Sequence, residues 1–217
     1  FDLDYYGGAG IRVTPEICGK DGNIKVEVFL TDAKEGQMLF YQIKDADGTV
    51  VAEDRQSVNA TEVTLKIPNV HLWNGRKDPY LYTAEVMLLE GTEALDMVST
   101  RFGCRTFKID PEKGFILNGE SYPLHGVSRH QDRWGIGNAL LREHHEEDMD
   151  LIRQIGANTI RLAHYQHDQY FYDLCDQYGM IVWAEIPYIS EHMPAGRENT
   201  ISQMKELIVQ NYNHPSI

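Results

Sequence analysis

Asn158-Thr-Ile-Arg-Leu-Ala-His-Tyr165, followed after three residues by Gln169-Tyr-Phe-Tyr-Asp-Leu-Cys-Asp-Gln-Tyr-Gly-Met-Ile-Val-Trp-Ala184, is the stretch on which the fold turns. Thr159–Ala163 reads as a short strand. Gln169–Tyr178 reads as a helix, because Phe171, Leu174, Cys175 and Tyr178 recur at i, i+3, i+4 and i+7 and so share one face. Met180–Ala184 is an apolar run of strand length. Asp168 stands where a helix N-cap is wanted, and Gly179 where a helix ends before a strand. Strand, helix and strand in this order form a βαβ unit, which implies parallel strands joined by a right-handed crossover.

The same rhythm extends on both sides. Upstream, Tyr122–Val127 reads as a strand and Arg142–Ile155 as a helix with Met149, Ile152 and Ile155 on one face and Gly156 at its end. Downstream, a helix is predicted over Thr200–Asn213, capped by Asn199, with Ile201, Met204, Ile208 and Tyr212 on one face. Residues 1–108 follow a different rule. Ile24–Leu30, Met38–Lys44, Glu62–Ile67, Tyr80–Leu89 and Met97–Phe102 alternate with a period of two, the mark of half-buried strands. Turn signals at Lys20–Asn23, Asp45–Gly48 and Trp73–Gly75 separate them, which suggests a β-sandwich. Asp110–Gly114 is the natural boundary between the halves.

Composition bounds the function. With 217 residues, 42% hydrophobic and 24% charged, the chain suits two modest globular domains. Its longest apolar run, Met180–Ala184, is far short of the roughly 20 residues of a membrane-spanning helix, so no membrane partner is expected. A net charge of −13 argues against nucleic acid, whose affinity comes largely from Lys and Arg on phosphates. The acid excess is even: 12 basic and 18 acidic side chains over residues 1–110, 8 and 15 over 111–217. Cys18, Cys104 and Cys175 are too few and scattered for a disulfide framework. A bridge between Cys18 and Cys104 is not expected, since a sandwich of this size is stable on its core. The compartment stays open between bacterial cytoplasm and periplasm, because Phe1 in place of Met says that the native N-terminus lies elsewhere.

Eight of nine histidines follow residue 120, and His125, His130, His164 and His167 fall around predicted strand ends. Ligands of parallel α/β folds bind at the carboxyl ends of strands, so that is where a site belongs. Arg129, Arg161, Asp132, Trp134, Tyr165 and Glu185 accompany these histidines. Zinc spacing is absent: His164 and His167 flank a strand end, and the adjacent His144 and His145 diverge. There is no Gly-x-Ser-x-Gly elbow and no phosphate-binding glycine loop. Aromatic rings with His, Arg and carboxylate suit a neutral polyhydroxylated ligand such as a sugar.

At these residues the sequence resembles glycoside hydrolase family 2, the β-galactosidase and β-glucuronidase group. The resemblance rests on Asn158–Tyr165, Phe171-Tyr172, Asp176 and Gly179 to Trp183. Asn118-Gly-Glu120 with Leu124–His130, Trp73 with Asp78–Tyr82, and Tyr212-Asn-His-Pro-Ser216 carry it across the chain. Ala163, Gln166, Ser128 and Ala184 depart from the usual family residues. The resemblance implies an immunoglobulin-like β-sandwich over 11–108, preceded at 1–10 by a remnant of a sugar-binding-like domain. Residues 109–217 then form the first three βα units of a (β/α)8 TIM barrel. It makes His130 and His164 glycone contacts and Arg161 a buried arginine orienting catalytic carboxylates; the strand-end cluster itself adds Trp134, Tyr165 and Glu185 as substrate-binding candidates. Glu191-His192 invites comparison with magnesium ligands, but its spacing from Glu185 does not support a site, so magnesium stays possible without being predicted, and no other cofactor is predicted.

A retaining glycosidase needs an acid/base and a nucleophilic carboxylate about 5 to 5.5 Å apart. The resemblance places both glutamates beyond Ile217, so the expected function is part of a retaining exo-β-glycosidase, a β-galactosidase first, acting on a β-linked sugar. The chain alone is then expected to be inactive. The alternative is a non-catalytic carbohydrate-binding or interaction module. A whole barrel takes about 250 residues. Three βα units leave an unpaired strand edge, so the isolated chain is expected to self-associate, a homo-oligomer among the outcomes.

Overall fold

In the computed structural model, which describes all residues 1–217, alternation becomes two antiparallel sheets. The strands are β1 (Ile11–Cys18), β2 (Asp21–Val28), β3 (Met38–Lys44), β4 (Val50–Ser57), β5 (Glu62–Ile67), β6 (Tyr82–Glu90) and β7 (Glu93–Phe102). They pair in the orders β1-β2-β5 and β4-β3-β6-β7. Every second residue of β2, β3 and β5 is buried, and Ile24, Val26, Leu39, Tyr41, Ile43, Val63 and Leu65 meet in one core. The register shift between β6 and β7 at Leu88/Leu89 leaves Leu95 of β7 as the extra residue, while β6 keeps its regular pairing with β3, so Leu88, opposite buried Leu39, still packs against the core and Leu89 is buried outside it.

Several sequence expectations shift here. β1 and β4 lie outside the segments that the period-two alternation marks; both are at sheet edges, where one side carries no partner strand and the alternation is weaker. Lys20–Asn23 is not a turn as a whole, because β2 starts at Asp21 and Gly19, with φ of 66°, makes the bend. All three cysteines are free. Cys18 is exposed, while Cys104 and Cys175 are buried and burial raises both thiols, Cys104 to about 12.

Residues 1–10 associate with these strands. Asp2 N–H donates to Phe29 O, Phe29 N–H to Gly10 O, and Tyr5 stacks on Phe29. The chain divides into two compact units, the first made of Phe1–Trp73, Tyr80–Arg105 and Ile208–Pro215. Within it, Asn213 of the Tyr212–Ser216 motif accepts from Val13 N–H and donates to Ile11 O, a clamp on β1.

The second unit comprises Asn74–Pro79, Thr106–Leu207 and Ser216–Ile217. It opens with β8 (Phe107–Asp110), β9 (Gly114–Leu117) and β10 (Glu120–Ser121), a small antiparallel sheet in which Asp110–Gly114 is a hairpin turn. Then come β11 (Gly126–Arg129), α1 (Arg142–Gln154), β12 (Thr159–Leu162), α2 (Gln169–Tyr178), β13 (Ile181–Ala184) and α3 (Arg197–Asn211). β11, β12 and β13 are parallel neighbours in that order. Their core joins Met149 of α1, Phe171, Leu174 and Cys175 of α2, and Ile160, Leu162 and Val182 of the sheet. Ser216 O accepts from Val182 N–H, bringing the chain back beside β13.

α2 has the expected bounds. Asp168 accepts from Tyr170 N–H at 2.8 Å, and Gly179 closes the helix at φ of 72° with its backbone against Gly75, leaving no room for a Cβ. The first strand is displaced from Tyr122–Val127 to Gly126–Arg129. Tyr122 instead buries its ring, and its hydroxyl accepts from Arg76 N–H. α3 begins at Arg197, after a 3-10 turn at Pro194–Gly196, so Asn199 lies inside the helix rather than capping it. The apolar stripe Ile201, Met204, Ile208 and Tyr212 is exposed, and the residues buried here are Leu207 and Asn211.

Candidate functional site

Parity along three short strands builds the site. Ser128 of β11, Arg161 of β12 and Trp183 of β13 are register partners and all exposed, whereas Val127, Ile160 and Val182, one residue back, turn toward the helices. The sheet thus has a closed, helix-covered face and an open one. His130 and Glu185 follow β11 and β13 directly, and His164 follows β12 by two residues, so all three stand at carboxyl ends of parallel strands.

On the open face these groups converge. Arg161 donates to Glu185 through two nitrogens, Nε to Oε1 at 2.6 Å and Nη2 to Oε2 at 3.2 Å, a bidentate pair. The guanidinium holds the Glu185 carboxyl below its ordinary range, with a smaller contribution from His164. His164 Nδ1 lies 3.1 Å from Arg161 Nη2 and 3.2 Å from Glu185 Oε2. That nitrogen cannot accept from the guanidinium and donate to the carboxylate at once, so the ring proton chooses between them, and Nε2 takes the complementary role. The His130 ring meets the His164 ring edge-on at 5.1 Å, and the Ala163–His164 peptide is cis. Tyr165 lies 6.3 Å from His130, its hydroxyl accepting from Gln131 N–H.

Five of the six expected site residues therefore gather: His130, Arg161, His164, Tyr165 and Glu185. Trp134 does not. It sits in the loop closed by Arg133 and Gly137 and is 98% exposed. Within these 217 residues the Arg161 side chain is 43% exposed on the open face. His125 stands at the amino end of β11, opposite the site, as a consequence of the displaced strand. His192 pairs through Nδ1 with the hydroxyl of Tyr188.

The arginine that is buried is Arg129, 5% exposed on the closed face. It donates through Nε to Asp148 at 2.9 Å, through Nη1 to His167 Nδ1 and through Nη2 to His145 Nδ1, both at 3.0 Å, and lies 3.8 Å over the Phe171 ring. Burial first, then the facing charge of Arg129, lowers the His145 pKa. Burial drives His167 to about 4, against a smaller opposing effect of its bond to Ala163 O. Sequence reasoning grouped Arg129 and His167 with the ligand-facing residues; odd-even position along β11 turns Arg129 away from them, and His167 is hydrogen-bonded to Arg129.

Two family profiles cover nearly the whole chain: "Glycosyl hydrolases family 2" matches residues 9–105, and "Glycosyl hydrolases family 2, TIM barrel domain" matches 108–217. The chain belongs to glycosyl hydrolase family 2. It is a family 2 sandwich followed by the start of the family's TIM barrel, as expected from the motifs.

Among the relatives of this family 2 chain is a β-glucuronidase of Bacteroides fragilis, 38% identical over 98% of the chain and 33% of that protein. The β-galactosidase BoGH2A of Bacteroides ovatus is 30% identical over 98% of the chain and 27% of that protein. A crystal structure of an FMN-binding β-glucuronidase from Facaelibacterium prausnitzii L2-6 superposes with a TM-score of 0.96 at 44% identity, covering 100% of the chain and 34% of that structure. The chain spans 27% to 34% of the length of these relatives.

Proposed function

We propose that this chain is part of a retaining exo-β-glycosidase and supplies one wall of its glycone pocket. The observation that carries the reading is the convergence of His130, His164, Arg161 and Glu185 at the carboxyl ends of three parallel barrel strands. In this reading the two imidazoles hydrogen-bond sugar hydroxyls near the reacting carbon, and Arg161 fixes both His164 and Glu185. Glu185 is not the acid/base group: a carboxylate held ionised in a bidentate pair has no proton to give to a leaving oxygen. The chain by itself therefore turns over no glycoside.

The preferred substrate is a β-glucuronide. A galactoside was the first expectation from the sequence. The relative named β-glucuronidase is 38% identical and BoGH2A, named β-galactosidase, 30%, which supports the uronic acid. The test is turnover of 4-nitrophenyl β-D-glucuronide and β-D-galactoside by the full-length protein and by the 217-residue chain. The full-length protein is expected to favour the glucuronide at least tenfold in kcat/KM. Preference for the galactoside restores the sequence expectation, and turnover of neither overturns the glycosidase reading.

A further inference from the structure

The link between the closed and open faces is Ala163, which is fully buried between the strand and His164. Its N–H donates to Arg129 O at 3.0 Å, and its carbonyl lies 3.0 Å from His167 Nε2. We propose that His167 is a positioning residue, which holds the Ala163 carbonyl and thereby sets where the His164 imidazole stands beside Arg161 and Glu185. The inference rests on the reading above only in assigning His164 to the bound sugar.

The ring of His167 has one arrangement available. A guanidinium has donors and no acceptor, so Nδ1, 3.0 Å from Arg129 Nη1, must accept. The neutral ring then carries its proton on Nε2, where the Ala163 carbonyl receives it. Arg129 cannot turn away from this role: Asp148, His145 and the Phe171 face each hold another part of it. The backbone N–H of His167 donates to the hydroxyl of buried Tyr172, which holds the main chain that carries the ring. His167 is 3% exposed, so no solvent competes for the carbonyl. Arg129 thus orients His167, His167 orients Ala163 O, and the next residue is the sugar-facing His164. Misplacing a contact group by about 1 Å costs on the order of 100-fold in rate.

Two substitutions in the full-length protein separate positioning from packing. His167→Gln places an amide N–H near the position of Nε2 and keeps the donor to Ala163 O. His167→Asn places its oxygen near Nδ1, keeps the acceptor for Arg129, and has no donor that reaches Ala163. His167→Asn is expected to lower kcat on the better nitrophenyl glycoside by roughly 10- to 100-fold with KM within about threefold, while His167→Gln stays within about threefold on both. Crystals of the two variants are expected to show the His164 ring moved off Glu185 in His167→Asn and in place in His167→Gln. Equal losses of kcat in both variants, tracking their unfolding midpoints, overturn the proposal, as does an unmoved His164 in His167→Asn. If the wild-type protein cleaves neither glycoside, the functional reading falls and the crystals alone decide: a displaced ring supports the positioning role and an unmoved ring refutes it.

Discussion

Arg129 and Arg161 sit on adjacent strands of one sheet and choose the same kinds of partner, a carboxylate and a histidine Nδ1. They face opposite ways. Ser128, not Arg129, is the register partner of Arg161, so the two guanidinium groups emerge on opposite faces. One is 5% exposed beneath helices and the other 43% exposed at strand ends. The difference teaches that the same pairing is shut off from water on one face of the sheet and left open to it on the other. A buried charge that loses a partner leaves the rest uncompensated, whereas an exposed pair is solvated either way.

The largest test of this contrast is a pair of alanine substitutions. Arg129→Ala strips Asp148, His145 and His167 of their shared donor and is expected to cost about 3 to 5 kcal/mol of unfolding free energy. Arg161→Ala is expected to cost below about 1 kcal/mol. Urea denaturation of both variants measures this, and an equal or inverted ranking breaks the comparison.

The second test uses pH. An unfolded histidine takes its proton near 6.5 and folded His167 near 4, so between these values the unfolded chain binds the extra proton. The stability from neutral His167 is complete above about pH 6.5 and declines as pH falls toward 4, by on the order of 3 kcal/mol in all. His145 acts in the same direction. Glu185, whose pKa is lowered, contributes above the ordinary carboxylate range and loses its part only below it. Denaturation midpoints between pH 6.5 and 5 therefore report the closed face, and His167→Gln is expected to flatten that slope. A slope unchanged in His167→Gln contradicts this assignment.

Salt gives the smallest effect. Glu185→Gln is expected to lower stability by less than about 1 kcal/mol, and the gap to wild type closes in about 0.5 M NaCl, where the screening length is about 4 Å. The gap for Asp148→Asn, whose partner Arg129 is buried, is expected to persist. Equal salt sensitivity of the two gaps would remove the distinction between the faces.

Much of this is legible in the sequence. α2 was readable to the residue because Asp168 and Gly179 punctuate it and four apolar residues set its phase. The family motifs likewise pointed to five residues that do come together. What the sequence hid was parity. Once β11 moves from Tyr122–Val127 to Gly126–Arg129, Arg129 and His130 part to opposite faces, and a shift of one residue is enough to exchange them. β1 and β4 escaped notice because an edge strand tolerates Pro15 and the polar run Glu53-Asp54-Arg55. The stripe on α3 looked like a core face, but periodicity tells which residues share a side and not which side is covered.

The cysteines turn the two compact units into separately readable clocks. Cys104 belongs to the first unit and Cys175 to the second, and both thiols are buried and held protonated. A thiol-selective reagent meets Cys18 at once and each of the others only when the surrounding structure opens. Mass spectrometry of timed alkylation would therefore give an opening rate for the sandwich and another for the barrel segment from one native sample, without a probe having to be engineered into either.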